Sequence, residues 1–232
     1  ASHEKLLLHT WSLSTEWQFY MLLPLLVMVV WKIFKKDRPV IFAVIFTFVA
    51  SLGCSIYFSA RDPGGAFFLL HTRAWEMLAG GLVFYFSDYF KNLFSNRKPF
   101  EWLGFAFISV SIFWLKPADV WPGYLALLPV VGVSLVLLAN GEGYWINNKV
   151  AQWIGNSSYS IYLWHWPLAA ILNYSETVTL PVQLAFVGLS LVLGYLSYRF
   201  LEIPGKNAFL KIKNFWRYFL AAFIGIFILG AY

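Results

Sequence analysis

The chain has 232 residues, of which 60% are hydrophobic and only 12% are charged. A soluble globular domain carries roughly 25% charged residues on its water-facing surface, so this composition excludes that class and predicts an integral membrane protein. The formal charge is +6. Because the basic residues lie in short segments between apolar runs, they indicate membrane orientation, and no nucleic-acid partner is expected.

Eight apolar runs are candidates for transmembrane helices, several of them on the short side. A bilayer core of about 30 Å needs roughly 20 apolar residues in a helix. The predicted fold is therefore all-α, a polytopic membrane helix bundle of about eight transmembrane helices that forms a single membrane domain. The predicted spans are 19–34, 40–58, 74–90, 100–115, 124–139, 159–174, 181–200 and 218–232.

Lysine and arginine are unequally distributed between the two alternating sets of connecting segments. Thirteen of the 17 lie in one set and four in the other. Cytoplasmic loops carry an excess of these residues, so the richer set is predicted to be cytoplasmic. Residues 1–18 and Tyr232 are then extracytoplasmic, together with the segments 61–73, 116–123 and 175–180.

Cys54 is the only cysteine and lies inside an apolar run. A single cysteine excludes an internal disulfide and a cysteine metal cluster. We interpret it as a small buried hydrophobic residue and predict no metal site.

The first polar stretch, HTWSLSTEWQFY, lies at the outer end of the first span. An ionisable residue at helix depth costs roughly 2.5–3.5 kcal/mol on insertion scales, so it needs a partner or a function. If the chain is helical from Ser12, then Ser12, Glu16 and Phe19 share one face. Ser12 is then either an N-cap, or His9 and Glu16 take part in proton transfer.

The second polar stretch contains Arg73 and Glu76, which can pair at i and i+3 on one helix face. Two interpretations stay open. The pair is a structural ion pair at the membrane interface, or Arg73 holds an anionic or polyol substrate.

The third polar stretch places His165 well inside an apolar span, beside two aromatic residues. Within a membrane helix such a histidine indicates function. The alternative is a satisfied core histidine that bonds to a backbone carbonyl freed by Pro167.

The fourth polar stretch, YRFLEIP, ends a predicted helix on the cytoplasmic side. Arg199 is interpreted there as an ordinary interfacial anchor. Glu202 is unexpected in so basic a segment.

Four strings carry a resemblance to a known family: HTWSLSTEWQFY, TRAWEMLAGG, GNSSYSIYLWHWPL and SYRFLEIP, in this order over residues 9–204. They resemble acyltransferase family 3, which includes the O-acetyltransferases of O-antigen (in lipopolysaccharide) and of peptidoglycan. The resemblance implies a multi-pass enzyme of the bacterial inner (cytoplasmic) membrane, in contact with membrane lipid. It would move an acyl group, usually acetyl, to a sugar hydroxyl. An acyl-CoA donor such as acetyl-CoA and a carbohydrate acceptor are implied, with no bound cofactor.

The resemblance also implies the site residues. Glu16 matches the glutamate of the first motif, while Trp17 stands where many members have a second glutamate. Tyr162 and His165 match a tyrosine–tryptophan–histidine run, and Glu16 and His165 are the catalytic candidates. The candidate substrate-binding residues are His9, Trp11, Ser12, Gln18, Tyr20, Arg73, Glu76, Ser160 and Tyr162.

The chain departs from the family pattern at its start. The family's arginine and histidine signature, in its first membrane helix, has no match here. We therefore expect the chain to be the carboxyl-terminal two-thirds of the membrane domain, with the first helices before Ala1. Some family members continue into an extracytoplasmic SGNH hydrolase-like domain, which would follow Tyr232.

Two other classes of membrane protein are alternatives to an enzyme of this kind. A transporter or flippase of a lipid-linked or acylated glycan also needs intramembrane charge and kinked helices, but it is expected to show inverted repeats, and none is found. A glycan polymerase typically needs long outer loops, whereas the predicted outer loops are short.

Overall fold

The computed structural model describes residues 10–116, 119–139, 147–173 and 179–209. All regular secondary structure in these residues is helical, which confirms the all-α prediction. The chain forms two compact units, one within residues 9–147 and the other within residues 148–232. Each unit is described by itself.

The first unit consists of six α-helices and one short 3₁₀ turn. Helix α4 packs against α1, α2 and α6, while α5 packs along α6. This arrangement makes α4 the central helix of the unit. The helices are α1 (Thr10–Phe34), α2 (Asp37–Ser59), α3 (Pro63–Phe68), α4 (Leu70–Leu93), α5 (Lys98–Trp114) and α6 (Leu127–Ala139), which the 3₁₀ turn Tyr124–Ala126 precedes.

The second unit is built on a pair of long helices. Helix α7 (Lys149–Asn173) packs along α8 (Leu180–Ser197). A single π-helical turn, Tyr198–Glu202, continues α8 into the short helix α9 (Ile203–Phe209). Such turns inside α-helices are rare and often mark functional positions.

Helices overlap the first seven predicted spans, and the eighth span, 218–232, lies outside the described residues. Among the described residues, three continuous helical runs are long and apolar enough to cross a membrane by length and composition, namely Thr10–Phe34, Asp37–Ser59 and Leu180–Asn207. These runs are those of a multi-pass membrane protein.

Two helices begin nine or ten residues before the predicted spans. Helix α7 starts ten residues before the predicted span, at Lys149. The polar residues there bond within the helix. Asn148 Oδ1 accepts a hydrogen bond from the Ala151 N–H at 2.8 Å, and the Ser157 hydroxyl donates to the Trp153 carbonyl at 2.7 Å. Local bonds of this kind let serine and asparagine lie in or at the start of a helix. Helix α1 likewise extends back to Thr10.

The distribution of side chains is inverted relative to a soluble protein. Large apolar residues such as Phe84 and Phe113 are almost fully exposed, whereas small polar residues such as Ser55 and Thr72 are fully buried. Membrane helices associate through small and polar residues, because lipid removes the hydrophobic reason for burying apolar ones. The outer surface is therefore suited to lipid.

Glycines allow two close helix contacts. A Cβ atom at Gly104 in α5 would lie 2.6 Å from the Gly132 carbonyl oxygen in α6. A Cβ atom at Gly194 in α8 would lie 2.7 Å from the Ile161 Cα in α7. Neither position accepts a side chain without moving the helices apart, so both contacts depend on glycine.

Candidate active site

The polar centre of the first unit is an ion pair at the amino-terminal end of α4. Arg73 Nη2 lies 2.9 Å from Glu76 Oε2, and Arg73 Nε lies 3.3 Å from both carboxylate oxygens. About a fifth of each side chain is exposed, 19% and 20%. The multidentate geometry fixes the direction of both side chains, and the pairing predicted from their spacing is present.

Aromatic rings surround the Arg73 guanidinium. Its carbon lies 5.1 Å from the centre of the Trp11 ring in α1 and 5.4 Å from that of Phe67 in α3. The Trp11 and Phe67 rings are themselves 4.6 Å apart. Cation–π attraction at these distances adds to the ion pair. Trp11, Arg73 and Glu76, three of the predicted substrate-binding residues, are thus brought together.

Two threonines fix the backbone around this centre. The hydroxyl of Thr72, fully buried, lies 2.5 Å from the Ala66 carbonyl oxygen and 2.7 Å from that of Leu69. The Thr15 hydroxyl lies 3.2 Å from the Trp11 carbonyl oxygen and 3.5 Å from that of Phe68. These contacts tie α1, α3 and the start of α4 together.

Glu16 lies on an exposed face of α1, and it makes no hydrogen bond or ion pair with any described residue. Because α1 is helical from Thr10, Ser12, Glu16 and Phe19 lie at i, i+4 and i+7 of one helix, as expected. The buried residues of this stretch are Thr15 and Phe19. Ser12 lies inside α1 and is therefore not its N-cap.

The other predicted residues of the first motif lie around Glu16. The Gln18 amide lies 3.4 Å from the Ser14 hydroxyl, and Tyr20 is exposed with its ring 6.0 Å from that of Phe19. His9 lies outside the described residues.

A groove of about 790 Å³ runs between α1, α2 and α4, and its lining is mostly apolar. Gln18 and His71 lie along it, as does Ser51 of α2. The Ser51 hydroxyl donates to the His71 carbonyl at 2.8 Å and accepts from the Trp75 N–H at 3.0 Å. It thereby joins α2 to the first turns of α4.

Glu76 also lines a smaller crevice, of about 300 Å³, between α4 and α6. Trp121, from the segment before α6, forms part of its wall. The carboxylate therefore borders open space on one side and the Arg73 guanidinium on the other.

The second unit carries a separate polar cluster. The Ser160 hydroxyl, which is buried, donates to Glu202 Oε2 at 2.8 Å, and Lys206 Nζ donates to Glu202 Oε1 at 2.8 Å. Glu202 belongs to the π-helical turn and Ser160 to α7, so the bond connects these two elements. Arg199 is exposed, as expected of an interfacial anchor.

His165 bonds to its own helix. Its Nδ1 lies 2.7 Å from the Tyr162 carbonyl oxygen, and the two rings are 5.4 Å apart. A carbonyl only accepts, so Nδ1 carries the proton and the neutral ring has its lone pair on Nε2. The carbonyl that Pro167 frees is that of Leu163, four residues earlier. This hydrogen bond of His165 is therefore not made to the carbonyl that Pro167 frees, and the alternative interpretation is wrong in this respect.

His71, Glu202 and Trp121 contribute to these sites but were not among the site residues predicted from the sequence. Glu202 lies in the fourth motif string and His71 directly precedes the second, and their titratable side chains in apolar surroundings were the available signal. Trp121 belongs to a turn sequence, Trp-Pro-Gly, and only its tertiary position next to Glu76 relates it to the site.

A family model described as an acyltransferase domain matches residues 2–231, nearly the whole chain. The chain belongs to the acyltransferase 3 family. The four motif strings and the polar centres described above are thus those of an acyltransferase domain.

Curated relatives of this acyltransferase domain are bacterial proteins. The chain is 28% identical over 231 residues to "Peptidoglycan O-acetyltransferase OatA" of Listeria monocytogenes, covering 89% of this chain and 37% of the relative. It is 27% identical over 227 residues to "Putative O-acetyltransferase SACOL0978" of Staphylococcus aureus, covering 90% and 37%. The chain thus spans just over a third of the length of these relatives. No solved structure matches it significantly.

Proposed function

We propose that the protein to which this chain belongs is a membrane O-acetyltransferase that esterifies hydroxyl groups of cell-surface carbohydrate, with peptidoglycan as the first candidate acceptor. The observation that carries the proposal is the family match over residues 2–231. The relatives named as peptidoglycan O-acetyltransferases supply the candidate acceptor. The fixed Arg73–Glu76 pair beside the Trp11 ring supplies charged and flat apolar groups side by side, as recognition of a polyol needs.

The proposed reaction moves an acetyl group from a thioester, with acetyl-CoA as the donor, to a sugar hydroxyl. The carbon–sulfur bond breaks and an ester carbon–oxygen bond forms. The hydroxyl proton passes to a base, and the sulfur leaves as a thiolate that takes up one proton to become the free thiol. Catalysis then needs a proton acceptor close to the hydroxyl and groups that hold the sugar in place.

The two outer carboxylates divide these roles. Glu76 is held by three contacts to the Arg73 guanidinium, so its charge is compensated and its position fixed. We assign it, with Arg73, to binding of the acceptor. Glu16 has no described partner that compensates its charge or occupies its oxygens. We assign it the role of proton acceptor.

His165 and Tyr162, in the second unit, are assigned to the donor side of the reaction. The Nδ1–H bond to the Tyr162 carbonyl at 2.7 Å orients the ring and selects the tautomer with a basic Nε2. That nitrogen is chemically suited to accept a proton or an acyl group. Ser160 and Tyr162, on the same helix, would contact the donor side of the reaction.

The proposal requires a two-sided membrane arrangement. We propose eight transmembrane spans in the bacterial inner membrane, with residues 1–18 and Tyr232 outside and the basic segments in the cytoplasm. The thioester is then used from the cytoplasmic side and the carbohydrate from the outer side. The ends of α1 and α4 that carry Glu16 and Arg73 face the acceptor.

The test replaces Glu16 in the full-length protein, expressed in cells that lack the native gene. Because glutamine keeps the shape of glutamate but cannot accept the proton, Glu16→Gln is expected to lower acetylation of the cell wall about 10²–10⁴-fold. The measurement is mass spectrometry of wall fragments, which counts the added acetyl groups.

The matched control is Asp88→Asn, which removes an exposed carboxylate at the other end of α4. It is expected to leave acetylation and membrane insertion unchanged. Full acetylation by the Glu16→Gln protein would remove Glu16 from the mechanism. A gene-dependent change in glycan export without an added acetyl mass would favour the transporter alternative.

A further inference from the structure

A third opening of the first unit adjoins the polar centre. It is a cleft of about 480 Å³ between α3 and the segment that precedes α6. Phe67, Phe68 and Trp121 provide flat apolar walls, and Lys116 and Asp119 provide polar groups. By the distribution of basic residues, both segments belong to the outer side of the membrane.

Short hydrogen bonds hold the Trp121 wall of the cleft. Asp119 Oδ2 accepts the Lys116 N–H at 2.8 Å, which links these two residues of the cleft. The Gly123 N–H donates to the Ser59 hydroxyl at 3.0 Å, which anchors the segment to the end of α2. Pro122 between them is fully buried. This wall is therefore in place before any ligand arrives, which lowers the entropy cost of binding.

The opposite wall is held by α4. The buried Thr72 hydroxyl contacts the Ala66 carbonyl at 2.5 Å, within α3. Asp62 Oδ1 accepts the Gly65 N–H at 3.0 Å at the start of the same helix. Phe67 and Phe68 are thus presented by a short helix that is fixed at both ends.

The cleft is continuous with the polar centre through two shared residues. The Phe67 ring lies 5.4 Å from the Arg73 guanidinium carbon, and it also lines the cleft. Trp121 lines both the cleft and the crevice that contains Glu76. A ligand that spans the cleft would therefore present its next unit to the Arg73–Glu76 pair.

A pyranose chain matches these walls in its chemistry. Each ring has an apolar face of C–H groups, which stacks on an aromatic side chain, and an edge of hydroxyl groups, which bond to charged and polar side chains. A lipid chain has no polar groups to bond to Lys116 and Asp119, and a peptide has no regular series of flat apolar faces to stack on the aromatic walls.

We propose that this cleft is a subsite for the acceptor glycan, which holds sugar units next to the one that is acetylated. The inference rests on the proposed function and adds to it where the polysaccharide chain lies. Trp121 provides the main stacking surface, and Phe67 connects the subsite to the reacting unit.

The experiment measures binding of chitotetraose, a chain of four N-acetylglucosamine units, to the full-length protein in nanodiscs without any acyl donor. Saturation-transfer NMR gives the affinity. Loss of the stacking surface in Trp121→Ala is expected to weaken binding about tenfold or more. Trp121→Phe keeps a flat ring and is expected to restore most of the affinity. Such a result would show that Trp121→Ala loses affinity because the ring is missing and not because the segment is misfolded.

The matched control is Trp114→Ala, which removes an exposed tryptophan at the end of α5 that does not line the cleft. It is expected to bind like wild type. Equal affinities of wild type and Trp121→Ala, or no binding by wild type, would overturn the subsite. Binding that depends on Trp121 in a protein that transfers no acetyl group would leave the subsite standing and refute the proposed function.

Discussion

At the scale of single residues, the same side-chain type has different properties because of its neighbours. The charge of Glu76 is compensated by Arg73, whose Nη2 lies 2.9 Å from Glu76 Oε2. Glu16, on α1, has no described partner. A carboxylate held by an ion pair has a fixed position suited to recognition, whereas a carboxylate without a described partner has oxygens available to a ligand. The proposed division between binding and proton transfer is based on this difference.

Arg73→Lys tests the recognition role at this scale. Lysine keeps the charge but lacks the planar fork that meets Glu76 through Nε and Nη2. We expect kcat/KM for acetyl transfer by the full-length protein to fall about tenfold, corresponding to about 1.4 kcal/mol. Arg61→Lys is the control, because exposed Arg61 lies over the Tyr57 ring on the same side of the unit. Equal losses in both variants would contradict a specific role for the Arg73 fork.

At the scale of elements, α4 organises the first unit. Its first turns carry Arg73 and Glu76, and the Ser51 hydroxyl of α2 bridges its backbone between His71 and Trp75. Its later part packs against α6, which in turn meets α5 at the Gly104–Gly132 contact. The position of the polar centre therefore depends on helix contacts that lie a long way from it along the chain.

Gly104→Ala tests how much the α5–α6 contact stabilises the unit. The new Cβ would lie 2.6 Å from the Gly132 carbonyl oxygen, so the helices must separate, at a cost of about 1–3 kcal/mol. We expect a lower unfolding midpoint in mixed detergent micelles.

Gly53→Ala provides the matched control for this contact. A Cβ at Gly53, in the interior of α2, meets nothing within 4 Å, and alanine favours the helix by about 1 kcal/mol. The Gly53→Ala midpoint should therefore be equal to that of wild type or higher. A Gly104→Ala midpoint as high as that of Gly53→Ala would exclude the close contact.

At the scale of the whole molecule, apolar side chains face outward and small polar ones face inward within each unit's helices. This is the arrangement of a bundle whose solvent is lipid. The unequal distribution of lysine and arginine assigns the proposed sides of the membrane. Under this proposal, the Arg73–Glu76 end of α4 and the basic segments of the first unit lie on opposite sides of the membrane.

Labelling of single cysteines tests this orientation. In a Cys54→Ala background, which leaves no native thiol, Ala60→Cys is predicted to react with a membrane-impermeant maleimide in intact spheroplasts. Ser95→Cys should react only after the membrane is permeabilised. Both positions are exposed at helix ends, so burial does not limit either reaction. The reverse labelling pattern would invert the topology and place the acceptor site in the cytoplasm.

The sequence by itself determined the class, the helices and the family. The lengths of the apolar runs, the scarcity of charged residues and the four ordered motif strings are local properties. They can be recognised without any knowledge of how the helices pack. Only the tertiary structure decided which face of α1 is buried, because Thr15 and Phe19 meet α3 and α4 there. It also decided that Trp121 borders Glu76 and that Glu202 bonds to Ser160, 42 residues away. These contacts join residues that are far apart in the chain, and neither periodicity nor spacing along one segment carries that information.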